Sequence, residues 1–381
     1  MIYGHFDCVT GRAVCGWAWD AERPGVAISI EVQVDGTTVV AGAANLYRPD
    51  LQDAGIADGC HSYALLLPET VMDGREHDIT VLGDGIPLLG TPSRQVLPDL
   101  RFVPLPADDR AYPVELAICA IAKNEARYLR EWVAFHRLVG VEHFLIFDND
   151  STDRTPALLA EIAAEGFLDW MPWPSQPGTP PQLAAYGEGL RRLRDRCRWI
   201  AFIDLDEFLV PLEGTDVKPI LRDYQTAGGL AVPWRIYGSS GLHEDDGRLV
   251  LSRFTRRAAD DDPVNGTVKT VVRGTYASAP GVHVPQLSAG RIVDEHRRVV
   301  GALGDPDRHA VPDARRLVLR HYFCKSWAEW ENKRNRGIAT AEPGAASHIR
   351  PDSHFQAHDR NEIHDPMPEA FLQGMAEQMR R

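Results

Sequence analysis

From residue 114 onward, short apolar runs alternate with stretches of helical spacing, and this alternation restricts the fold more than any other feature of the chain. Residues 116–122 are continuously apolar, as expected of a parallel strand covered on both faces. Leu129, Trp132, Val133 and His136 then recur at helical spacing. Residues 143–147 predict a second strand. Thr155-Pro156 opens a helix that stops at Gly166, with Thr155 as N-cap and proline in the first turn. A third strand is expected over 167–170, a helix over 182–196 with Leu183, Leu190 and Leu193 inward, and a fourth strand over 199–203. Such repetition predicts an α/β domain built on a doubly wound, mostly parallel sheet. Ligands in these sheets sit beyond the C-terminal strand ends. After about residue 228 the alternation weakens, and short strands at 230–237, 248–254 and 268–273 suggest an antiparallel extension. A helix follows at 326–336, where Ser326-Trp327-Ala328-Glu329 has the capping-box pattern.

The first 98 residues read differently. Ile28, Ile30, Val32 and Val34 alternate with polar residues, and Asp35-Gly36 then turns the chain into Thr37-Thr38-Val39-Val40. That is a hairpin with a two-residue turn. Further strands fit 14–19, 62–67 and 77–82, so a small all-β sandwich is expected as an accessory module. Trp17 and Trp19 share one face of their strand; a core role is favoured, and stacking on sugar rings is the alternative. A proline-bearing linker spans 99–112, the α/β domain 113–340, and a polar tail 341–381 with one amphipathic stretch at 368–379.

Formal charge is −13, from 41 basic and 54 acidic residues, which argues against nonspecific nucleic-acid binding. No apolar run approaches the roughly 20 residues of a membrane-spanning helix. The N-terminal residues lack the charged-then-apolar layout of a secretion signal, so a cytoplasmic location is expected, with peripheral contact at the inner membrane face left open. The six cysteines form no CxxC, and core thiols are expected rather than a disulfide framework or a zinc site.

Asp-x-Asp occurs four times, at 148/150, 204/206, 260/262 and 305/307, so the bare pattern carries little weight. Only the first two copies directly follow apolar strands. Residues i and i+2 of an extended segment point the same way, which would turn Asp204 and Asp206 toward one point. Two adjacent carboxylates repel. A divalent cation, Mg²⁺ or Mn²⁺, relieves that repulsion and typically adds substrate phosphate oxygens to its ligands. A helix cap with a solvated acidic turn is the alternative. Phe147-Asp148-Asn149-Asp150-Ser151-Thr152-Asp153 reads first as a polar loop that caps the next helix through Asp153 or Thr155. Its functional reading gives Asp150 a base N–H. Lys123-Asn124-Glu125 ends the first strand and by itself reads as surface charge.

Together these clusters follow strands one, two and four and should converge on one edge. Residues 118–125 with Leu129-Arg130-Glu131-Trp132, then 147–153, then Asp204-Leu205-Asp206-Glu207-Phe208, resemble the nucleotide-sugar glycosyltransferases of the GT-A fold, in the family 2-like and family 92 group. The likeness continues through residues 235–243, Lys269-Thr270-Val271-Val272-Arg273, Val282-His283-Val284-Pro285 and residues 320–327. The resemblance implies a UDP-sugar donor and a glycan or lipid-linked glycan acceptor. It implies Asp204 and Asp206 holding Mn²⁺ or Mg²⁺ on the diphosphate, with His321 as a third ligand. It further implies Asp150 at the uracil, with Lys123, Asn124, Glu125, Asp148 and Asp153 in the nucleotide-sugar site. Lys325, Lys333 and Arg336 form a basic island in an acidic chain and suit a diphosphate, Lys325 because it precedes a helix N-terminus. Asp245 is the candidate base of an inverting displacement, and His243 and His283 are candidates for the acceptor side. Two other readings remain: a carbohydrate-binding protein on an inactive GT-A scaffold, and a nucleotidyltransferase. The latter would want a glycine-rich phosphate loop after the first strand, and Lys123-Asn124-Glu125 supplies none.

Overall fold

The computed structural model describes residues 2–106, 108–300, 314–341 and 349–380. The Asp305/Asp307 copy of the acidic pattern lies outside the described residues. The chain forms two compact units, the first ending at Phe102 and the second starting at Val103.

The first unit holds two antiparallel sheets. One joins Ile2–Thr10, Ala13–Asp20 and Ser62–Leu66; the other is built around Ile28–Val34, Thr37–Ala44 and Glu76–Gly83. Strict alternation places Ile28, Ile30, Val32, Ile79 and Val81 inside with no exposure. The hairpin turn has Asp35 and Gly36 both at positive φ, 51° and 79°, as a two-residue type I′ turn requires. The tryptophan expectation is corrected. Val14, Gly16 and Ala18 face the core, so Trp17 and Trp19, of opposite parity, lie half-buried on the outer face. Gly16 is needed there because a Cβ would meet the Tyr63 hydroxyl at 2.3 Å. Trp19 instead stands beside Tyr3, with ring centroids 6.3 Å apart.

In the second unit a mixed sheet is formed by β1 (Val114–Ala122), β2 (His143–Asp148), β3 (Leu168–Pro172), β4 (Cys197–Phe202), β5 (Glu207–Pro211), β6 (Gly229–Ile236), β7 (Val268–Arg273), β8 (Ile292–Val293) and β9 (Leu317–His321). The order is β3-β2-β1-β4-β7-β6-β9-β5, with β8 beside β6. The β3-β2-β1-β4 stretch is parallel, and β7 is antiparallel to both β4 and β6. The alternation predicts the parallel stretch, and the whole is the GT-A arrangement that the family resemblance implies. The four helices that flank the site are α1 (Leu129–Leu138), α2 (Thr155–Ala163), α3 (Pro181–Leu193) and α4 (Trp327–Arg336).

Several local expectations change. Leu183 is 44 % exposed, and α3 instead buries Ala185, Tyr186, Leu190 and Leu193. Residues 248–254 hold a helical turn, Val250–Arg253, rather than a strand; the Glu131 carboxylate accepts the Val250 and Leu251 N–H groups at its start. Thr155 does not cap α2. Its hydroxyl is turned inward and accepts the Glu125 N–H, tying the β1 tip to the helix. The C-terminal helix Glu369–Arg380 packs back on α1, with the Phe371 and Phe135 rings 5.9 Å apart. No described helix is long and apolar enough to cross a membrane.

His136 on α1 is fully buried with both ring nitrogens engaged: Nδ1 donates to the Trp132 carbonyl at 2.8 Å and Nε2 accepts the Leu209 N–H at 3.1 Å. Burial pushes the imidazole down to about 3. The folded state therefore keeps His136 neutral while the unfolded chain protonates it near its ordinary value. That contribution is complete above roughly pH 6.5 and is lost as pH falls toward 3, by about 2 kcal/mol at pH 5. Urea unfolding at several pH values should show His136→Gln losing less stability than the parent between pH 7 and pH 5. Parallel slopes would refute the assignment.

Candidate functional site

The C-terminal ends of β1, β2 and β4 open into one cavity of about 230 Å³. Lys123 and Glu125 reach it from the β1 tip, Asn149 from β2, and Asp204, Leu205 and Asp206 from the segment after β4. His321 enters from the end of β9, Lys333 and Arg336 from α4, and His283 and Trp234 from the far side. The convergence of three strand ends is as expected, but the local geometry differs. Residues 204–207 are a turn, closed by the Glu207 N–H donating to the Asp204 carbonyl at 3.1 Å, and not an extended strand end. Both aspartates still line one space because that turn folds back directly into β5.

Each carboxylate has internal partners. Asp204 Oδ1 accepts from Gln182 Nε2 at 2.8 Å and Tyr186 Oη at 3.2 Å, one turn apart on α3. Asp204 Oδ2 accepts from Lys269 Nζ at 3.0 Å. Lys269 is fully enclosed on β7, and its ammonium also stands 3.8 Å from Glu207 Oε2. Asp206 Oδ2 accepts from Lys333 Nζ at 2.6 Å, and His321 Nε2 is 3.6 Å from Asp206 Oδ1. Burial works to raise both aspartates, but Lys269 holds Asp204 below the usual carboxylate range, and Lys333 with His321 carries Asp206 well below it. Burial pushes Glu207 well up and the Lys333 ammonium down to about 8.

The donor set suits a divalent cation in kind: two carboxylates and an imidazole. Its background suits one too. His321 Nδ1 and Glu207 Oε1 are buried without hydrogen-bond partners and lie 3.9 Å apart, a carboxylate placed behind an imidazole whose other nitrogen faces Asp206. Among the described residues no three such groups are drawn together closely enough to form a finished cage. In the chain as it stands, Lys269 and Lys333 supply the positive charge between the acids.

The remaining expected residues divide. Glu125 is paired with Arg336, whose Nη1 also donates to the carbonyls of Lys123 and Asn124. Asn124, at φ 53°, is a staple: its Oδ1 accepts the Thr152 N–H at 2.7 Å. Asp153 stands one residue before the N-cap, which is Arg154; it accepts the N–H groups of Thr155 and Ala126 and so ties the helix start to the β1 loop. Asp148 is buried with Oδ1 unpartnered. Asp150 is exposed and accepts the Ser175 N–H at 2.8 Å, while its neighbour Asn149 lines the cavity. His283 lines the cavity and His243 is exposed outside it.

Asp245 and Lys325 are not in this cleft. They line a second cavity of about 410 Å³, bounded also by Asn124, Arg127, Tyr128 and Glu329, with Lys333 and Arg336 forming the wall shared by the two. Asp245 accepts two hydrogen bonds from Arg127 and lies 2.9 Å from Arg253 Nη1. Although burial opposes it, Arg127 holds Asp245 below the usual range, which makes it a poor proton acceptor. The helix N-terminus after Lys325 is also closed to an anion, because the Trp327, Ala328 and Glu329 N–H groups go to Leu242 O, His243 O and Ser326 Oγ. Ser326 and Glu329 form the expected capping box.

Sequence reasoning missed Lys269, Gln182 and Tyr186. Lys269 did leave a signal: a cation inside a strand, flanked by Val268, Val271 and Val272, must find a buried counter-charge.

A mixed sheet with an acid pair at its strand ends is the architecture of GT-A glycosyltransferases. A family model described as "Glycosyltransferase family 92" matches residues 112–342. A family 92 glycosyltransferase protein of Ricinus communis is 26% identical over 257 residues, which is 66% of this chain and 42% of that protein. One from Arabidopsis thaliana is 25% identical over 241 residues, 59% of this chain and 38% of its own. The structure of S. aureus TarS in complex with UDP overlaps 42% of this chain and 47% of its own, at 12% identity and a TM-score of 0.29, too slight a likeness to carry argument. The chain belongs to glycosyltransferase family 92. It spans less than half the length of these curated relatives.

Proposed function

We propose that the chain transfers a sugar from a UDP-sugar to a glycan or lipid-linked glycan acceptor, with inversion. The observation that carries this reading is a single cleft at the parallel strand ends, where Asp204, Asp206 and His321 face Lys333 and Arg336. Asp204, Asp206 and His321 would hold Mn²⁺ or Mg²⁺. When bound, the ion offsets charge that grows on the diphosphate as the glycosidic bond breaks. Lys333 and Arg336 bind diphosphate oxygens, Arg336 as a planar fork already anchored by Glu125. Lys123, Glu125 and Asn149 line the nucleoside end. His283, fixed by Nδ1 donating to the Val268 carbonyl at 3.0 Å, and Trp234 line the acceptor side.

The test is a thermal-shift screen of UDP and UDP-sugars with Mn²⁺, followed by a UDP-release assay. A ligand present at 100 times its Kd should stabilise the native state by about 2.7 kcal/mol. Stabilisation that needs both UDP and metal supports the reading. Absence of any nucleotide response would instead favour an inactive, sugar-binding scaffold.

A further inference from the structure

We propose that the second cavity is a phosphate-binding subsite for the acceptor, with Lys325 as the cation that meets the anion; the acceptor half of this rests on the transfer reading above. The argument begins with charge. Arg127, Lys325, Lys333 and Arg336 stand in the wall, and so do Asp153, Asp245 and Glu329. All three acids are already held by internal donors. Asp153 takes two backbone N–H groups, Asp245 takes Arg127 and Arg253, and Glu329 takes Ser326, Tyr128 and Arg253. Three of the four cations are also engaged: Arg127 with Asp245, Lys333 with Asp206 and Arg336 with Glu125.

Lys325 is the exception. It is only 4 % exposed, it lines the cavity, and its ammonium has no carboxylate or carbonyl partner among the described residues. What it has is the face of the Tyr128 ring, 3.8 Å from Nζ to the centroid. A ring face offsets only part of the cost of burying an ammonium. Its backbone is also left-handed, at φ 55°, a conformation that persists in a lysine only where the surroundings impose it. The cavity thus holds one enclosed ammonium with no hydrogen-bond or ion-pair partner among the described residues. It also shares the Lys333–Arg336 wall with the donor cleft. An anion bound there would sit one side chain away from the diphosphate. The donor's own phosphates face the Asp206 side of that wall, so the acceptor is the substrate left to supply the second anion.

The experiment uses the full chain and Lys325→Met, with melting temperature read in four conditions: no ligand, inorganic phosphate, glucose 6-phosphate and glucose. The first three are repeated with saturating UDP and Mg²⁺. In the parent, phosphate and glucose 6-phosphate should each raise the melting temperature, with or without UDP, and glucose should not. Lys325→Met should lose at least tenfold in apparent phosphate affinity while keeping its UDP response within twofold. Without ligand it should melt at or above the parent temperature, because an unpaired buried charge has been removed. Lys325→Arg should retain phosphate binding. A phosphate response unchanged in Lys325→Met, none in the parent, or a marked fall in the ligand-free melting temperature of Lys325→Met would each overturn the subsite. Binding of inorganic phosphate but not glucose 6-phosphate would overturn the acceptor assignment. Equal loss of phosphate and UDP responses would return Lys325 to the donor site. If UDP never binds, the donor reading fails, and the UDP-free arm still decides whether Lys325 holds phosphate.

Discussion

Lys269→Met should be the most damaging single substitution in the cleft for stability, lowering the unfolding free energy by about 3–5 kcal/mol. Among the described residues the ammonium is the only cation within 4 Å of Glu207 Oε2, at 3.8 Å, and it holds Asp204 Oδ2 at 3.0 Å. Glu207 is completely enclosed, while Asp204 keeps about a third of its side chain open to the cleft. Methionine matches the volume but leaves two acids of the turn facing each other with nothing positive between them. The melting temperature should fall by roughly 10 °C for a unit of this size. The double variant Lys269→Met/Asp204→Asn should recover most of that loss, because removing both charges of a buried pair is often nearly neutral. It should not recover binding of UDP with metal. A single variant that melts within 1–2 °C of the parent would show that Lys269 is not the counter-charge of the acid turn. A double variant no better than the single would locate the damage in packing.

The same residue marks where sequence reading stops. The β1–β4 core was legible because apolar runs such as 116–122 can only be two-sided strands, and because punctuation such as Asp35-Gly36 or the Ser326–Glu329 box acts locally. The gathering of Lys123, Glu125, Asp204 and Asp206 followed from strand order alone, since parallel strands deliver their C-terminal tips to one edge. Direction within a loop was not legible. Asp150 and Asn149 are neighbours, yet the left-handed turn at Asp150 ties its carboxylate to the N–H of Ser175, a residue of the cavity lining, while Asn149 lines the cavity directly. Partners far apart in sequence were equally hidden. Asp245 reads as a candidate base until Arg127, 118 residues away, is seen to clamp it. Repulsion between Asp204 and Asp206 was foreseen, and a cation was expected to relieve it; two lysines, one on β7 and one on α4, already do so.

Asp206→Asn should separate function from fold at that point. Asparagine keeps the shape and an oxygen for the Lys333 ammonium, now 2.6 Å from Asp206 Oδ2, so the backbone turn and the Gln182–Tyr186–Asp204 contacts should persist. The melting temperature without ligand should fall by the equivalent of about 1–3 kcal/mol, less than for Lys269→Met. The enclosed Lys333 keeps an amide oxygen and, with its pKa pushed down to about 8, can shed its proton. What disappears is negative charge in the cleft. With it goes the means of holding a divalent cation against the diphosphate, so the UDP- and Mn²⁺-dependent rise in melting temperature should vanish. Sugar transfer should fall by about 10²–10³, the usual cost of losing one preorganised electrostatic contact to the transition state. The pattern is the reverse of that expected for Lys269→Met, where stability is lost first. If Asp206→Asn keeps both its nucleotide response and its turnover within tenfold, the acid pair does not serve the donor. Lys333 and Arg336 would then be the groups to examine for diphosphate binding without a metal.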